Sequence, residues 1–331
     1  MARLVESNRS CRRIWPLALL LWQTGAMACG STDAATEPAR PLILLTGPRG
    51  GAYNPLGNAL ADVYNARIAS ARFTAQATNG PEGAGANARE LEHGNADLAF
   101  ARRDIAYMAF RHGSARDQAP YLHLRSIAVL YTNVVHVLVR RGSGIERGED
   151  IRGHRVPIGE EPDGSTLTRM VLEGHGIGLG EVLSTPGSRN AIARLRAGEL
   201  DARIFASAYP LSSIDGVGEA SGLRLLSVAP EVIDRLRSSF PFFKPATIPK
   251  GTYQGQDEDV QTVGIDGLLL CRDTVPEALV YEMTRTLFDA LPDLARSQPS
   301  ARLINVGRAP ATPVPLHTGA ARYYRERDLF R

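Results

Sequence analysis

Apolar positions between residues 39 and 331 fall into two alternating patterns. Short dense runs such as Leu42–Leu45, Ile127–Val139 and Thr262–Leu270 read as strands, the two longer ones rich in β-branched residues. Between them, apolar residues recur three and four apart, as at Leu56, Leu60, Val63 and Tyr64, and these predict helices with one buried face. Strands alternating with helices predict an α/β fold, with helices covering sheets. The first run ends in the turn Thr46-Gly47-Pro48-Arg49-Gly50-Gly51, and a helix is predicted to follow, with Asn54 as its cap and Pro55 at its first position.

One pattern occurs twice. Leu91-x-x-Gly94-x-x-Asp97 precedes Leu98-Ala99-Phe100, and Leu195-x-x-Gly198-x-x-Asp201 precedes Ala202-Arg203-Ile204-Phe205. In each, the leucine closes a short helix, the glycine supplies a left-handed cap, and a strand follows. Each copy also trails a Gly-rich turn that enters a helix, Gly47–Asn54 in one case and Gly159–Thr166 in the other. Two similarly built α/β lobes are the simplest account, with coincidence the lesser alternative because junctions of this kind are common. On the two-lobe reading, Ile127–Val139 and Thr262–Leu270 are two crossing strands that join the lobes, and the C-terminal segment returns to the first.

The beginning of the chain has its own grammar. Arg3, Arg9, Arg12 and Arg13 precede the apolar run Ile14–Trp22, and Ala26-Met27-Ala28 offers small residues for cleavage. That run is far shorter than the ~20 residues a membrane-spanning helix needs. Residues 1–28 therefore read as a signal peptide, and residues 29–40 as a short tether, which places the mature chain in the periplasm. Cleavage after Ala28 would expose Cys29 in a loose lipobox, so export with or without a lipid anchor at Cys29 stays open. Removing four arginines and one glutamate takes the formal charge of +3 to zero, which removes the case for nucleic-acid binding by a broad basic field. The three cysteines show no metal-ligand spacing, and Cys271 reads as a buried structural thiol.

Ligands in open α/β sheets collect at the carboxyl ends of strands beside helix N-termini, where unpaired N–H groups and the helix dipole favour an anion. Two turns are placed for this: Gly50, Gly51 and Tyr53 in the first, Gly164, Ser165 and Thr166 in the second. The same spacing fits tight turns with ordinary caps. A third Gly-rich loop, Thr78–Asn87, also enters a helix, and Arg102 and Arg103 follow the strand Leu98–Ala101, where one of them should face a cleft. Catalytic apparatus is thin. There is no HExxH, no G-x-S-x-G and no P-loop, the seven histidines are scattered, and His136 within its β-run reads as a packed side chain. No enzyme activity, cofactor or metal is expected.

Five motifs in order give the chain a resemblance to the TAXI family of TRAP-transporter solute-binding proteins. They are Thr46-Gly47-x-x-Gly50-Gly51-x-Tyr53-x-Pro55-Leu56-Gly57; Leu91-x-x-Gly94-x-Ala96-Asp97-Leu98-Ala99; and Leu130-Tyr131 through Ser143-Gly144-Ile145. Then come Ile248-Pro249-x-Gly251-x-Tyr253-x-Gly255-Gln256-Asp257, and Pro315-Leu316-His317-x-Gly319-Ala320-x-x-Tyr323-Tyr324-x-Glu326. The resemblance implies a type II periplasmic-binding fold, in which two lobes, each a mainly parallel sheet flanked by helices, are joined by two hinge strands. Residues 41–130 with 253–331 would form one lobe and 131–252 the other. It further implies a small organic anion as ligand, of the dicarboxylate or acidic amino acid class, and TRAP-type permease subunits as membrane partners. Gly50, Gly51, Tyr53, Asn87 and Gly164 to Thr166 would then line the site. Three departures surround that site: the 78–87 loop is longer and lacks its serine, Arg102 replaces a glutamine, and Pro162–Thr166 replaces a Gly-Ser-Gly-Thr pattern. Other outputs stay open, namely a ligand-sensing module feeding a receptor, or an exported enzyme on the same fold.

Overall fold

The computed structural model describes residues 39–329, apart from 50, 79–83, 115, 116, 159–161, 188, 189, 212 and 215; the side chains of 84, 85 and 162–165 are not described either. The leader, Cys29 and Gly50 thus lie outside the described residues.

The first strand, β1 (Arg40–Leu45), pairs in parallel with β2 (Ala71–Gln76) and β3 (Leu98–Arg102). Helices α1 (Tyr53–Arg67) and α2 (Ala84–Glu92) connect them, and α3 (Arg103–His112) follows. The long strand β4 (Leu124–Arg140) then leads to a second set of elements. That set comprises β5 (Arg155–Ile158), α4 (Pro162–Gly174), β6 (Leu183–Pro186), α5 (Ala191–Arg196), β7 (Ala202–Ser207), β8 (Leu223–Leu225), α6 (Pro230–Ser239) and β9 (Lys244–Ile248). A second long strand, β10 (Val260–Arg272), returns the chain to α7 (Glu277–Asp289), α8 (Leu291–Ser297) and α9 (Thr318–Arg325).

The α/β class expected from the sequence is what forms, and its main sheet is mixed. The strand order is β2-β1-β3-β10-β4-β7, with β8 on β4 and β9 on β10. Every pairing made by the two long strands is antiparallel, while β5 and β6 form a separate parallel pair. Both long strands are buried along nearly their whole length, which is why they read as continuous apolar runs without alternation.

Each long strand contributes to four apolar clusters, two toward each of its ends. Leu130 and Leu269 pack with Leu42, Leu44, Phe100 and Tyr324, whereas Val135, Val137, Val263 and Ile265 pack with Val171 and Leu236. Between them the strands change character. Thr132, Asn133, Gly264, Asp266 and Gly267 occupy the crossing, and a Cβ at Gly264 would lie 2.3 Å from the Thr132 methyl. Asp266 is 6% exposed, accepts from Thr132 Oγ1 at 3.0 Å, pairs closely with Lys244, and has Arg103 and Arg308 each at 3.6 Å.

The duplicated motif is duplicated structure. Gly94 and Gly198 end their helices at φ of 78° and 73°, a conformation that favours glycine. Asp97 N donates to Ile43 O at 3.1 Å and its Oδ2 accepts from Ile43 N at 2.9 Å. Asp201 does the same to Arg155, donating to its carbonyl at 2.9 Å and accepting from its N–H at 3.1 Å. In both, the aspartate clamps the strand that began its half of the sheet system.

The tail motif is explained by packing as well. His317 Nδ1 accepts from Gly319 N at 3.2 Å at the start of α9. A Cβ at Gly319 would lie 2.3 Å from the Glu277 carbonyl, so this glycine lets α9 approach α7. Tyr324 Oη donates to Ile127 O at 2.9 Å, tying α9 to β4.

Candidate functional site

The first wall of the site is the turn between β1 and α1. Asn87 is fully buried, with its amide donating to Thr46 O and, at 2.8 Å, to Phe100 O, while Thr78 Oγ1 donates to its Oδ1 at 2.5 Å. Its polar capacity thus holds the ends of β1 and β3 together beneath the turn. Gly57 keeps α1 close, since a Cβ there would lie 2.2 Å from the Thr46 methyl. The helix begins at Tyr53, and Asn54 does not cap it: Asn54 Nδ2 donates to Thr46 Oγ1 at 3.0 Å instead. Pro55 fits because the first-turn N–H groups of a helix have no intrahelical partner. The Tyr53 ring packs 5.3 Å from Phe100 and 5.9 Å from Tyr131, and its hydroxyl accepts from Asn133 Nδ2 at 2.8 Å. Burial, the dominant effect, raises its pKa well above the ordinary tyrosine value. Gly267 leaves room for that hydroxyl, which would lie 2.6 Å from a Cβ at this position.

The second wall is built around β7. His136, buried on β4, stacks on Phe205 with ring centres 4.9 Å apart. Its Nδ1 lies 3.0 Å from Val134 O and its Nε2 lies 2.8 Å from Tyr253 Oη. Tyr253 Oη already accepts from Leu211 N at 3.2 Å, so the tyrosine donates to Nε2 and the imidazole carries its proton on Nδ1. Burial lowers the His136 pKa to about 4, which keeps the ring neutral. Tyr253 is held by Gln256, whose amide donates to Ile248 O, Pro249 O and Glu258 O at 3.1, 3.1 and 2.9 Å. The fourth sequence motif is therefore a buried knot that fixes the loop after β7.

Arg203 lies over the face of Phe205, with its guanidinium carbon 4.4 Å from the ring centre. Its Nε is shielded from solvent and has no hydrogen-bond partner, and among the described residues no carboxylate pairs with this side chain. Burial alone lowers its pKa to about 10, so it remains a cation at neutral pH.

The two walls face each other across a cavity of about 570 Å³. Pro48 and Gly51 line it from the first turn; Asn190, Arg196, Arg203, Phe205, Ser207, Leu211 and Ser213 line it from the second wall. A neighbouring cavity of about 520 Å³ shares Gly51 and Leu211 and continues past Ala52, Pro55, Ala208, Pro210 and Ile214. A further cavity of about 560 Å³, around Gly216–Ser221, is bounded only by second-wall and 254–255 residues, so it does not join the two walls.

The structure brings only part of the expected set to this cleft. Gly51 lines both chambers, while Gly50 lies outside the described residues. Tyr53 and Asn87 stand behind the turn and support it. Gly164, Ser165 and Thr166 sit in the first turn of α4, the side chains of the first two undescribed. Arg102 is committed elsewhere, with Nε and one terminal nitrogen donating to the buried Asp104 carboxylate at 3.0 and 2.7 Å. Arg203, not singled out from sequence, supplies the cation in the cleft. A charged residue inside an otherwise apolar strand, two positions before an aromatic on the same face, was the available signal.

With this geometry in hand, comparisons with known proteins are informative. The model of the NMT1-like family matches residues 44–327. Among solved structures, MatC from Rhodopseudomonas palustris with bound malate superposes with a TM-score of 0.56 at 15% identity, covering 88% of this chain and 99% of its own. The periplasmic binding protein BugD gives 0.54 at 12% identity, covering 87% of this chain and 94% of its own. A structure described as a periplasmic transporter gives 0.53 at 14% identity, covering 89% and 95%. At such identities the likeness is one of fold, the fold of periplasmic binding proteins.

Proposed function

The chain belongs to the NMT1-like family, and on that premise we propose that it is an exported solute-binding protein, not an enzyme, that captures a small organic anion between two lobes. One observation carries the reading. A half-buried arginine, Arg203, whose Nε is shielded from water without a hydrogen-bond partner, lines a cavity bounded by both walls and has no carboxylate partner among the described residues. Stripping a guanidinium of water costs several kcal/mol when nothing compensates it. An anionic ligand restores that loss, and each charge-assisted hydrogen bond contributes about 1.5–3 kcal/mol. Fold likeness to MatC, whose structure holds malate, supports a carboxylate as the charged group.

In this proposal the lobes are residues 41–130 with 253–331, and 131–252, and the long strands are the hinge. The first turn closes over the ligand through Gly50 and Gly51, Tyr53 and Asn87 keep that turn in place, and Gly164 to Thr166 add helix-terminal N–H groups. The ligand's ion-pairing partner is Arg203; Arg102, the sequence candidate, serves to neutralise Asp104. Closure selects the ligand-competent state and presents a joined surface to membrane permease subunits. The five TAXI motifs favour a TRAP-type permease, and the leader favours the periplasm, with Cys29 as the point of any lipid anchor. A thermal-shift screen of the purified protein tests the reading. A carboxylate at about 100 times its Kd stabilises by about 2.7 kcal/mol, and equal stabilisation by neutral amides of the same skeletons would contradict it.

A further inference from the structure

Resting on the anion reading just given, we infer that the ligand is a monocarboxylate with an apolar, uncharged body: its head lies at Arg203 and its hydrocarbon portion lies in the adjoining chamber. The two chambers adjoin, with Gly51 and Leu211 lining both. Their linings differ in kind. Arg203 is joined at the head by the hydroxyls of Ser207 and Ser213, which match carboxylate oxygens. The second chamber carries no charged side chain among the described residues: Ala52, Pro55, Ala208, Pro210, Leu211 and Ile214 present apolar surface that favours methylene and methyl groups, and Thr252, Gln254, Gln298 and Ser300 add uncharged polar groups. Tyr253 borders that chamber too, but its hydroxyl is spent on His136 and on Leu211 N.

Charge bookkeeping points the same way. Among the described residues no aspartate or glutamate lines either chamber. The neighbouring carboxylates are already committed, Asp104 to Arg102 and Asp266 to Lys244. An α-ammonium on the ligand would therefore lose its water without gaining a counter-charge, and a carboxylate at the far end would meet only uncharged amides and hydroxyls (Gln254, Gln298, Thr252, Ser300), with no cation among the described lining residues. The chambers, at about 570 and 520 Å³, are in the range of pockets that enclose small organic ligands.

The test is a matched series measured by calorimetry on the purified protein. Butanoate, hexanoate and octanoate vary the body, while hexanedioate and 2-aminohexanoate add one charge to the six-carbon member. The inference expects affinity to rise about two- to fourfold per methylene, with both doubly functional acids at least tenfold weaker than hexanoate. Hexanedioate or 2-aminohexanoate binding as tightly as hexanoate would overturn the monocarboxylate assignment while leaving the anion reading intact. Flat affinity across the three chain lengths would overturn the apolar chamber's role. Silence from every carboxylate, including the diacid and the amino acid, would instead bring down the anion reading itself.

Discussion

The two Leu-x-x-Gly-x-x-Asp junctions share a backbone and differ in what they do with charge. Both end a helix on a left-handed glycine, and both use the aspartate to clamp a neighbouring strand through the same pair of backbone bonds. Beyond that the two halves diverge. Asp97 meets one arginine, Arg40, at 3.6 Å, whereas Asp201 accepts a two-pronged hold from Arg155 and a third contact from Arg140, all at 2.8 Å. Downstream the relation inverts. In the first half the next arginine, Arg102, is neutralised by Asp104; in the second the next arginine, Arg203, has only an aromatic face beneath it. A shared junction thus leaves each half free to assign the arginine of its following strand either to the scaffold or to a ligand.

The largest expected effect is at Asp201. Removing a nearly buried carboxylate that holds two arginines and a backbone N–H should destabilise by about 4 kcal/mol, whereas Asp97→Ala should lose about 1–2 kcal/mol, chiefly one backbone bond. Urea denaturation of the two variants measures the gap, and equal losses would break the asymmetry. Asp201 also carries a pH signature. Arg155 and then Arg140 hold its pKa well below the carboxylate range, so its contribution is complete above the unfolded value of about 4 and is lost as pH falls below it.

His136 titrates in a higher window. Its folded pKa of about 4 lies below the ordinary value of about 6.5, chiefly through burial, so the unfolded chain takes up the proton first as the medium acidifies. Stability present above pH ~6.5 should decline by up to about 3 kcal/mol toward pH ~4. His136→Gln should remove that part of the slope, which parallel denaturation curves at pH 6.5 and 4.5 would reveal. A loss of about 3 kcal/mol is expected for Arg102→Met, which leaves the buried Asp104 carboxylate without its two-pronged partner. Ligand affinity should change little in that variant, and a large change would return Arg102 to the site.

How much of this was legible beforehand follows from which interactions are local. The α/β alternation, both long strands and both glycine caps depend on periodicity and backbone conformation, and these are written in neighbouring residues. The structural use of Asn87 was not, because Thr46 and Phe100 reach it from 41 and 13 residues away. Asn54 misled for another reason: the helix starts at Tyr53, so Asn54 lies inside the first turn, where its amide donates to Thr46 Oγ1. Arg102 and Arg203 look alike as sequence, each lying in the strand that follows a Leu-x-x-Gly-x-x-Asp junction, Arg102 at its end and Arg203 near its start. Only a contact map distinguishes a cation with a carboxylate from one without.

That distinction is also the most direct way to test the account. Ligand-induced stabilisation by hexanoate would be measured side by side for the unaltered protein, Arg203→Met and Arg102→Met. The account predicts that Arg203→Met weakens binding roughly 10- to 150-fold while its ligand-free form is about as stable as the unaltered protein, because a half-buried cation without a carboxylate partner among the described residues has gone. Arg102→Met should show the reverse, with reduced stability and preserved binding. Full binding in Arg203→Met would contradict the central claim that this arginine is the ligand's counter-charge.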